Sequence, residues 1–298
     1  MAALKLTESY YMKIYISADL EGINGICHSS QTQPTERGFE RAVALLHQEV
    51  NAVIRGARLG GAREIVVNDA HWDMRNLQSE RLEPGTTLIS GWQKPFSIVS
   101  GCAGAAGLAS VASGPFDAAY FVGYHAMSGT ARGVLSHTYR AKVFLDVSLN
   151  GQPVGETGLN AAACGWWGVP LAFLSGDDAV CEEAVDLLGP LECVTVKKAV
   201  SRYSAVFAPQ EDVIAQLEAG AARALENKNR WRLFRPPSPS TLELTMLDPA
   251  MADGAELLPG VRRLSDRQIA VSHNNFSVLF NLMLAIGAIG EGRRDRHF

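Results

Sequence analysis

Hydrophobic and polar positions follow two different periods in the first quarter of the chain. Residues 13–18 are a short, largely apolar run of the kind that forms a buried strand. After a polar loop, apolar residues recur every three or four positions, which is the spacing of one helical face: Phe39, Val43, Leu46, Val50, Val53 and Ala57. Residues 63–71 are a second, β-branched run. We predict a strand–helix–strand unit with parallel strands and a right-handed crossover.

Three further segments extend this α/β pattern. Residues 116–126 and 169–176 predict strands, and the second strand leads into a helix that is capped near Asp177. Asn150-Gly151 lies between two alternating segments and predicts a hairpin turn. A helix is predicted directly after this hairpin, from about Gly155 to Trp167.

Two more helices are predicted in the second half of the chain. The first is long and amphipathic, and Pro209 lies just inside its start. The second covers residues 276–290, which is shorter than the roughly 20 residues that span a membrane, so we interpret it as a buried C-terminal helix. Between them, the Pro- and Ser-rich residues 235–240 are the clearest break in the chain.

Together these elements predict an α/β fold: a parallel-rich sheet flanked by helices in three layers, with a smaller mixed α+β second part. We place an α/β catalytic domain at residues 12–175 and the second part at residues 176–298. The boundary is left open, because the second part can return to the sheet of the first.

Composition narrows the classes of function. The formal net charge is −4 and the pI is about 6.0, which argues against a nucleic-acid-binding protein. The five cysteines are scattered without a CxxC pair, which is typical of reduced thiols and not of a disulfide framework or a cysteine zinc site. The first residues lack a signal-peptide pattern and are predicted to be a short disordered extension. We therefore expect a cytoplasmic protein that binds neither nucleic acid nor membrane.

Polar side chains follow three of the apolar runs. Asp19 and Glu21 follow the first strand, His71 follows the second, and His125 follows the strand at residues 116–126. Ligands of open parallel sheets bind outside the carboxyl ends of the strands, so we expect these residues to converge. Strand side chains alternate, which would place Asp19 and Glu21 on one side, and Gly22 would let the backbone bend close to them.

Carboxylates and imidazoles without thiolates are ligands for Zn²⁺, with Mn²⁺ or Co²⁺ as other possible ions. The number of candidates exceeds what one structural site uses, so a two-metal hydrolytic centre is predicted. Glu156, at the start of a predicted helix, and His137, after a glycine-bearing loop, are two further candidates.

Each of these residues also has a purely structural explanation. The two acids can cap a turn or a helix, and the strand-end histidines can be hydrogen-bonded inside the core. Glu156 can complement a helix N-terminus, and His137 can be a core histidine. Residues 101–114 are glycine-rich but lack the Lys-Ser/Thr of a phosphate-binding loop, so a small-residue helix or a mobile loop is expected there.

Several motifs occur in the order of a known family. The run SADLEG resembles the Ser-x-Asp-x-Glu-Gly signature of the zinc-dependent D-aminopeptidases, a dinuclear hydrolase family first described in bacilli. The resemblance continues through VNDAH, LISGWQKPFSIVSG, GYHA, GVLSHT, PVGETGLNA and SGDD. It covers the chain from Met12 to the helix near Pro209 and weakens afterwards.

The resemblance implies specific roles for the candidate residues. Two zinc ions per subunit would be held by five ligands, with the first of them bridging: Asp19, Glu21, His71, His125 and Glu156. His137 would be the catalytic histidine, acting either in proton transfer, which we favour, or as the nucleophile. Family members release N-terminal D-amino acids from short peptides and amides, and the type member is a ring-shaped decamer, so a homo-oligomer is implied.

Two departures from the family pattern are visible. The segment from His125 to His137 is one residue longer than the pattern, and the residues after Pro236 follow it only loosely. Three alternatives therefore stay open: an amidase acting on a different, non-D-peptide amide, a dinuclear phosphoesterase, and a non-catalytic metal- or solute-binding module. Ligand identities alone give neither the chirality of the substrate nor the native metal.

Overall fold

The computed structural model describes residues 11–103 and 115–293. The expectations for the N-terminal extension and for most of the glycine-rich segment at 101–114 lie outside these ranges.

Strands and helices alternate through most of the described residues. The strands are β1 (Met12–Ala18), β2 (Ala62–Asp69), β3 (Thr87–Ile89), β4 (Ala118–Tyr124), β5 (Phe144–Leu149), β6 (Gln152–Pro153), β7 (Leu171–Asp177), β8 (Glu192–Ser201), β9 (Ser204–Phe207), β10 (Ser240–Met246), β11 (Arg262–Arg263) and β12 (Gln268–His273). The helices are α1 (Phe39–Leu59), α2 (Glu156–Trp166), α3 (Asp178–Leu188), α4 (Gln210–Glu226), α5 (Pro249–Ala255) and α6 (Phe276–Arg293).

These strands form two sheets. Sheet A has the order β3-β2-β1-β4-β7-β8-β9 and is parallel except for the last pair. Sheet B has the order β11-β12-β10-β5-β6 and is antiparallel. The predicted α/β class with a mixed second part is confirmed. Both sheets draw strands from both sides of residue 175.

The central strands of sheet A, β1, β4 and β7, are buried on both faces, and they are accordingly rich in apolar residues. Ile14 and Ile16 of β1 face α1 and α4, where they share a core with Leu46 and Leu217. Tyr15 points to the other face, where α2 packs and where the core continues into sheet B. This arrangement gives the three predicted layers.

Most predicted elements lie where the patterns placed them. β1 and β2 pair in parallel around α1, as expected. Asn150 and Gly151 both have positive φ, +52° and +80°, as a two-residue hairpin turn between β5 and β6 requires. The Asp177 carboxylate accepts a hydrogen bond from the Val180 amide and so caps α3. Pro209 differs slightly, because it lies at the N-cap of α4 and not inside the helix.

Helix α6 is long and apolar enough to cross a membrane when only length and composition are considered, and it is the one such helix among the described residues. Leu279, Phe280, Met283 and Ile286 of this helix are buried in the core that it shares with sheet B. This packing agrees with the predicted C-terminal core helix.

Gly22 lies where the chain leaves β1 and passes the end of β4. Its amide donates a hydrogen bond to the Gly123 carbonyl at 2.8 Å. A Cβ atom at Gly22 would lie only 1.9 Å from the carbonyl oxygen of Tyr124. The absence of a side chain therefore lets two strand ends meet at this edge of the sheet.

We expect Gly22→Ala to lower the free energy of unfolding by about 3 kcal/mol, because the added methyl group must displace the β4 backbone. Urea denaturation monitored by circular dichroism measures this loss. Gly292→Ala in α6 is the control, since a Cβ there meets no atom within 4 Å. That variant should be as stable as the native chain or slightly more stable. Equal stability of the Gly22 variant and the native chain would contradict the close approach.

Candidate metal centre

Sheet order brings the predicted ligands together. β2, β1 and β4 are neighbours, so their carboxyl ends lie side by side. His71 lies two residues past β2, and His125 directly follows β4. Asp19 and Glu21 lie one and three residues past β1, so a turn, and not strand alternation, orients their side chains. Glu156 is the first residue of α2, which packs behind these strand ends.

The first group of side chains joins Asp19, Glu21 and His71. Nδ1 of His71 lies 3.2 Å from Asp19 Oδ1 and 2.8 Å from Glu21 Oε2. Nε2 of the same ring donates a hydrogen bond to the Thr32 carbonyl at 2.6 Å. Because a carbonyl oxygen only accepts, the neutral ring carries its lone pair on Nδ1, facing the carboxylates. The ligand atoms lie within 4.8 Å of one another, so the group can hold a metal ion.

The second group joins His125, His137 and Glu156. Nε2 of His125 lies 3.3 Å from Glu156 Oε1, and Nε2 of His137 lies 3.6 Å from the same oxygen. The two rings stack with their centroids 4.0 Å apart. Their Nδ1 atoms donate to the carbonyls of Ala126 and Leu135, at 3.1 Å and 2.9 Å. Both Nε2 lone pairs therefore face Glu156 when the rings are neutral.

Asp19 belongs to both groups. Its Oδ1 faces His71, whereas its Oδ2 lies 3.5 Å from Nε2 of His125. One carboxylate thus presents one oxygen to each group. This is the position that a bridging ligand occupies in a two-metal site.

The polar atoms that face each other here lack a positive partner. Nε2 of His125 and Oε2 of Glu21 are buried, and none of their contacts in the described part of the chain has hydrogen-bond geometry. A buried polar atom without a hydrogen bond costs about 1–3 kcal/mol. Lone pairs of neutral imidazoles that face carboxylates also repel them. A cation between these atoms removes both penalties, so the residues fit a metal pair.

The pKa shifts show the same requirement for positive charge. Burial and the neighbouring Glu21 carboxylate raise the pKa of Asp19 to about 7. Burial by itself would lower the pKa of the two imidazoles. The charge of Glu21 nevertheless raises the pKa of His71 well above its usual value, and the charge of Glu156 raises that of His125 to about 10. Bound divalent cations would supply this charge in place of protons.

His137 differs from the other five residues. Its side chain is 18% exposed, whereas those of the other five are 1–10% exposed. Burial and the adjacent His125 lower its pKa, which favours a neutral ring at neutral pH. The ring therefore offers a partly accessible lone pair on Nε2, suited to accept a proton. The same position also allows His137 to act as a metal ligand.

The loop that carries His137 is held in an unusual backbone conformation. Leu135 and Tyr139, on either side of it, have φ of +52° and +59°, a region that costs about 1 kcal/mol or more for residues other than glycine. The turn between β8 and β9 compensates, since Leu135 N donates to the Arg202 carbonyl at 2.9 Å and the Arg202 guanidinium donates to the Ser136 carbonyl at 3.0 Å. Hydrogen bonds to the backbone of this loop thus fix the position of the His137 ring.

Some residues that support the candidate ligands were not predicted from the sequence. The buried Asp69 carboxylate accepts hydrogen bonds from the amides of Asn76 and Leu77, and the Asn76 side chain donates to the His71 carbonyl. Asp69 belongs to the same strand-end motif as His71, but the sequence pattern does not indicate which amides its carboxylate accepts from. Lys197 on β8 is also buried beside the site. Lysine is usually exposed, and regular alternation along β8 would turn this side chain away from the core.

The chain is similar to known proteins over most of its length. A family model described as D-aminopeptidase matches residues 12–285. The D-aminopeptidase of Bacillus subtilis (strain 168) is 35% identical over 251 residues, which are 84% of this chain and 86% of that protein. A solved structure, described as the Zn-dependent D-aminopeptidase DppA from Bacillus subtilis and a self-compartmentalizing protease, superposes with a TM-score of 0.88. The two chains are 31% identical, and the match covers 94% of this chain and 98% of that one.

We expect different metal losses from three substitutions. Glu21→Gln and Glu156→Gln each remove a candidate ligand of one group, so the metal content should fall from about two ions per chain to about one. Asp19→Asn weakens both groups and should lower the content below one. Elemental mass spectrometry after zinc loading and desalting measures these values. Glu182→Gln, an exposed acid on α3, is the control and should change nothing. Full metal content in the Asp19 variant would contradict the shared role.

Proposed function

Because the chain belongs to the D-aminopeptidase family, we propose that it is a zinc-dependent aminopeptidase that releases N-terminal D-amino acids from short peptides or amides. The observation that carries this proposal is the pair of buried carboxylate–imidazole groups joined by Asp19. The family match at residues 12–285 includes all six candidate residues of the site.

We assign two zinc ions to five ligands, with Asp19 bridging: Asp19, Glu21, His71, His125 and Glu156. Acids and neutral imidazoles without thiolates suit zinc, and Mn²⁺ and Co²⁺ accept the same donors. The structural relative is described as Zn-dependent. When bound, the ions supply Lewis acidity, which polarises the scissile carbonyl. The three hydrogen bonds to Thr32, Ala126 and Leu135 orient the imidazoles of the site.

His137 is assigned to proton transfer. Its lowered pKa keeps the ring neutral, and its Nδ1–H bond to Leu135 leaves the lone pair on Nε2. Nε2 can take a proton from the attacking nucleophile and deliver it to the nitrogen of the leaving amine. The same lone pair would serve if the ring itself attacked the carbonyl.

We also propose a cytoplasmic homo-oligomer, with a ring-shaped decamer as the specific form. The structural relative is described as a self-compartmentalizing protease. Val200, Tyr203 and Val206, on and around the β8–β9 hairpin, are 55–60% exposed in the single chain. Exposed apolar side chains of this kind are typical of a surface that another subunit covers. The five cysteines are scattered without a CxxC pair, a pattern typical of reduced thiols, and this supports the cytoplasmic assignment.

The proposed activity predicts chelator-sensitive release of amino acids from D-substrates. Zinc-loaded protein is incubated with D-alanyl and L-alanyl amides and with short peptides of each series, and free amine is measured. We expect cleavage of the D-series only, and at least a tenfold loss of rate with a chelator, because the metal supplies the Lewis acid. Protein that holds two metals and cleaves neither series would contradict the proposal. Cleavage of the L-series alone would refute the assigned chirality.

His137→Ala should abolish turnover, with a loss of about 100-fold or more, because proton transfer is removed. Metal content should stay at the native value, since the ring is assigned to catalysis and not to the metals. His273→Ala, in β12 of sheet B, is the control and should keep native activity. Loss of a metal ion in the His137 variant would show that the ring is a ligand. Retained turnover would remove its assignment.

A further inference from the structure

Strand β8 carries a buried lysine whose ammonium contacts the backbone next to the candidate metal centre. Lys197 is 2% exposed, whereas the next residue, Lys198, is exposed. The Lys197 ammonium donates hydrogen bonds to three backbone carbonyls of the segment that follows β1: Glu21 at 2.5 Å, Ile23 at 2.9 Å and Ile26 at 2.7 Å. An ammonium has three donors, so these contacts use all of them.

A bulge in sheet A explains why this lysine points inward. Gly176 of β7 pairs with Thr195, but the next residue, Asp177, pairs with Lys197. Val196 is therefore one extra residue on β8, and the regular alternation of side chains is interrupted there. The bulge directs Lys197 to the segment behind Glu21.

The contacts fix one peptide group in particular. The Glu21 carbonyl accepts from Lys197, and the Gly22 amide, on the same peptide bond, donates to the Gly123 carbonyl at 2.8 Å. The peptide plane that follows Glu21 is thus held at both of its polar atoms. The Cα of Glu21 is attached to this plane, so the direction of its side chain towards His71 is fixed as well.

A buried ammonium is costly in an apolar core unless it is hydrogen-bonded and near negative charge. Glu49, also buried, is close enough to Lys197 for their charges to interact, and it accepts a hydrogen bond from the Asn24 amide at 2.9 Å. The segment from Glu21 to Ile26 is therefore held by charged groups on two different elements, β8 and α1. An apolar side chain at position 197 would fill the space without holding the carbonyls.

We propose that Lys197 is a positioning residue that orients Glu21 for metal binding, acting through the Glu21–Gly22 peptide group. The inference rests on the proposed function, because it assumes that Glu21 is a metal ligand. Lys197 is not among the proposed ligands, and its three hydrogen bonds go to backbone carbonyls. Its effect is on the affinity and geometry of the group formed by Asp19, Glu21 and His71.

The test compares Lys197→Met with Lys198→Met. Methionine has a similar length to lysine but no charge and no donor, and position 198 on the same strand is exposed. Zinc affinity is measured by competition with a chromophoric chelator, and the absorption spectrum of the Co²⁺-loaded protein reports ligand geometry. We expect Lys197→Met to weaken one of the two sites by about 10- to 100-fold, as removal of outer ligand contacts does, and to change the Co²⁺ spectrum. Lys198→Met should match the native protein.

Each outcome separates this inference from the proposed function. If the native protein binds no zinc, the proposed function fails. If the native protein binds two ions and Lys197→Met binds them with native affinity and spectrum, only the positioning role is overturned. Equal losses in both variants would also overturn it. Thermal melting checks whether each variant folds. If the methionine variant does not fold, Lys197→Gln replaces it, because glutamine keeps two hydrogen-bond donors. This variant should lose less zinc affinity than the 10- to 100-fold expected when the contact is removed completely. Native affinity in that variant would also count against the role.

Discussion

The structure depends on the cost of placing three carboxylates, Asp19, Glu21 and Glu156, in one buried space. Negative charge in a protein interior is tolerated only beside positive charge or a metal ion. The turn after β1 places Asp19 and Glu21 here, and the first residue of α2 adds Glu156. The sheet allows a solution, because His71 and His125 follow the neighbouring strands β2 and β4 and turn their free nitrogens towards these acids. The fold thus forms a site that is unfavourable when empty and favourable when occupied.

The remainder of the site serves to keep these groups in place. Four of the five proposed ligands (Asp19, Glu21, His71 and His125) follow strand ends, where the sheet no longer fixes the backbone. Hydrogen bonds donated by Lys197 and Arg202, and hydrogen bonds accepted by Asp69, replace that constraint at three separate turns. Two of these residues come from β8 and the turn that follows it, although β8 contributes no ligand. Catalytic geometry on loops requires this kind of external support, because small displacements have large effects on rate.

The fold was predicted correctly where a residue pattern is typical of one kind of secondary structure. The short runs before Asp19 and His71, the second of them rich in β-branched residues, indicate buried strands, and parallel strands place their ends together. Glu156 and His137 could not be assigned from local pattern, because their partners are distant in sequence, and the family resemblance supplied their roles. Lys197 was missed for a different reason. A single bulge changes which side of a strand a residue occupies, and such an irregularity has no clear signal in composition or periodicity.

The wide spacing of the site residues along the chain has a consequence for how the protein matures. The proposed ligands extend from Asp19 to Glu156, and the support of Glu21 comes only with Lys197. A growing chain on the ribosome therefore contains no complete site until Lys197 has been added. Parallel sheets also assemble late, since their contacts are distant in sequence. Zinc would bind after folding and would then stabilise the native state by mass action. The supply of metal would therefore affect how long the folded protein persists more than how fast it folds.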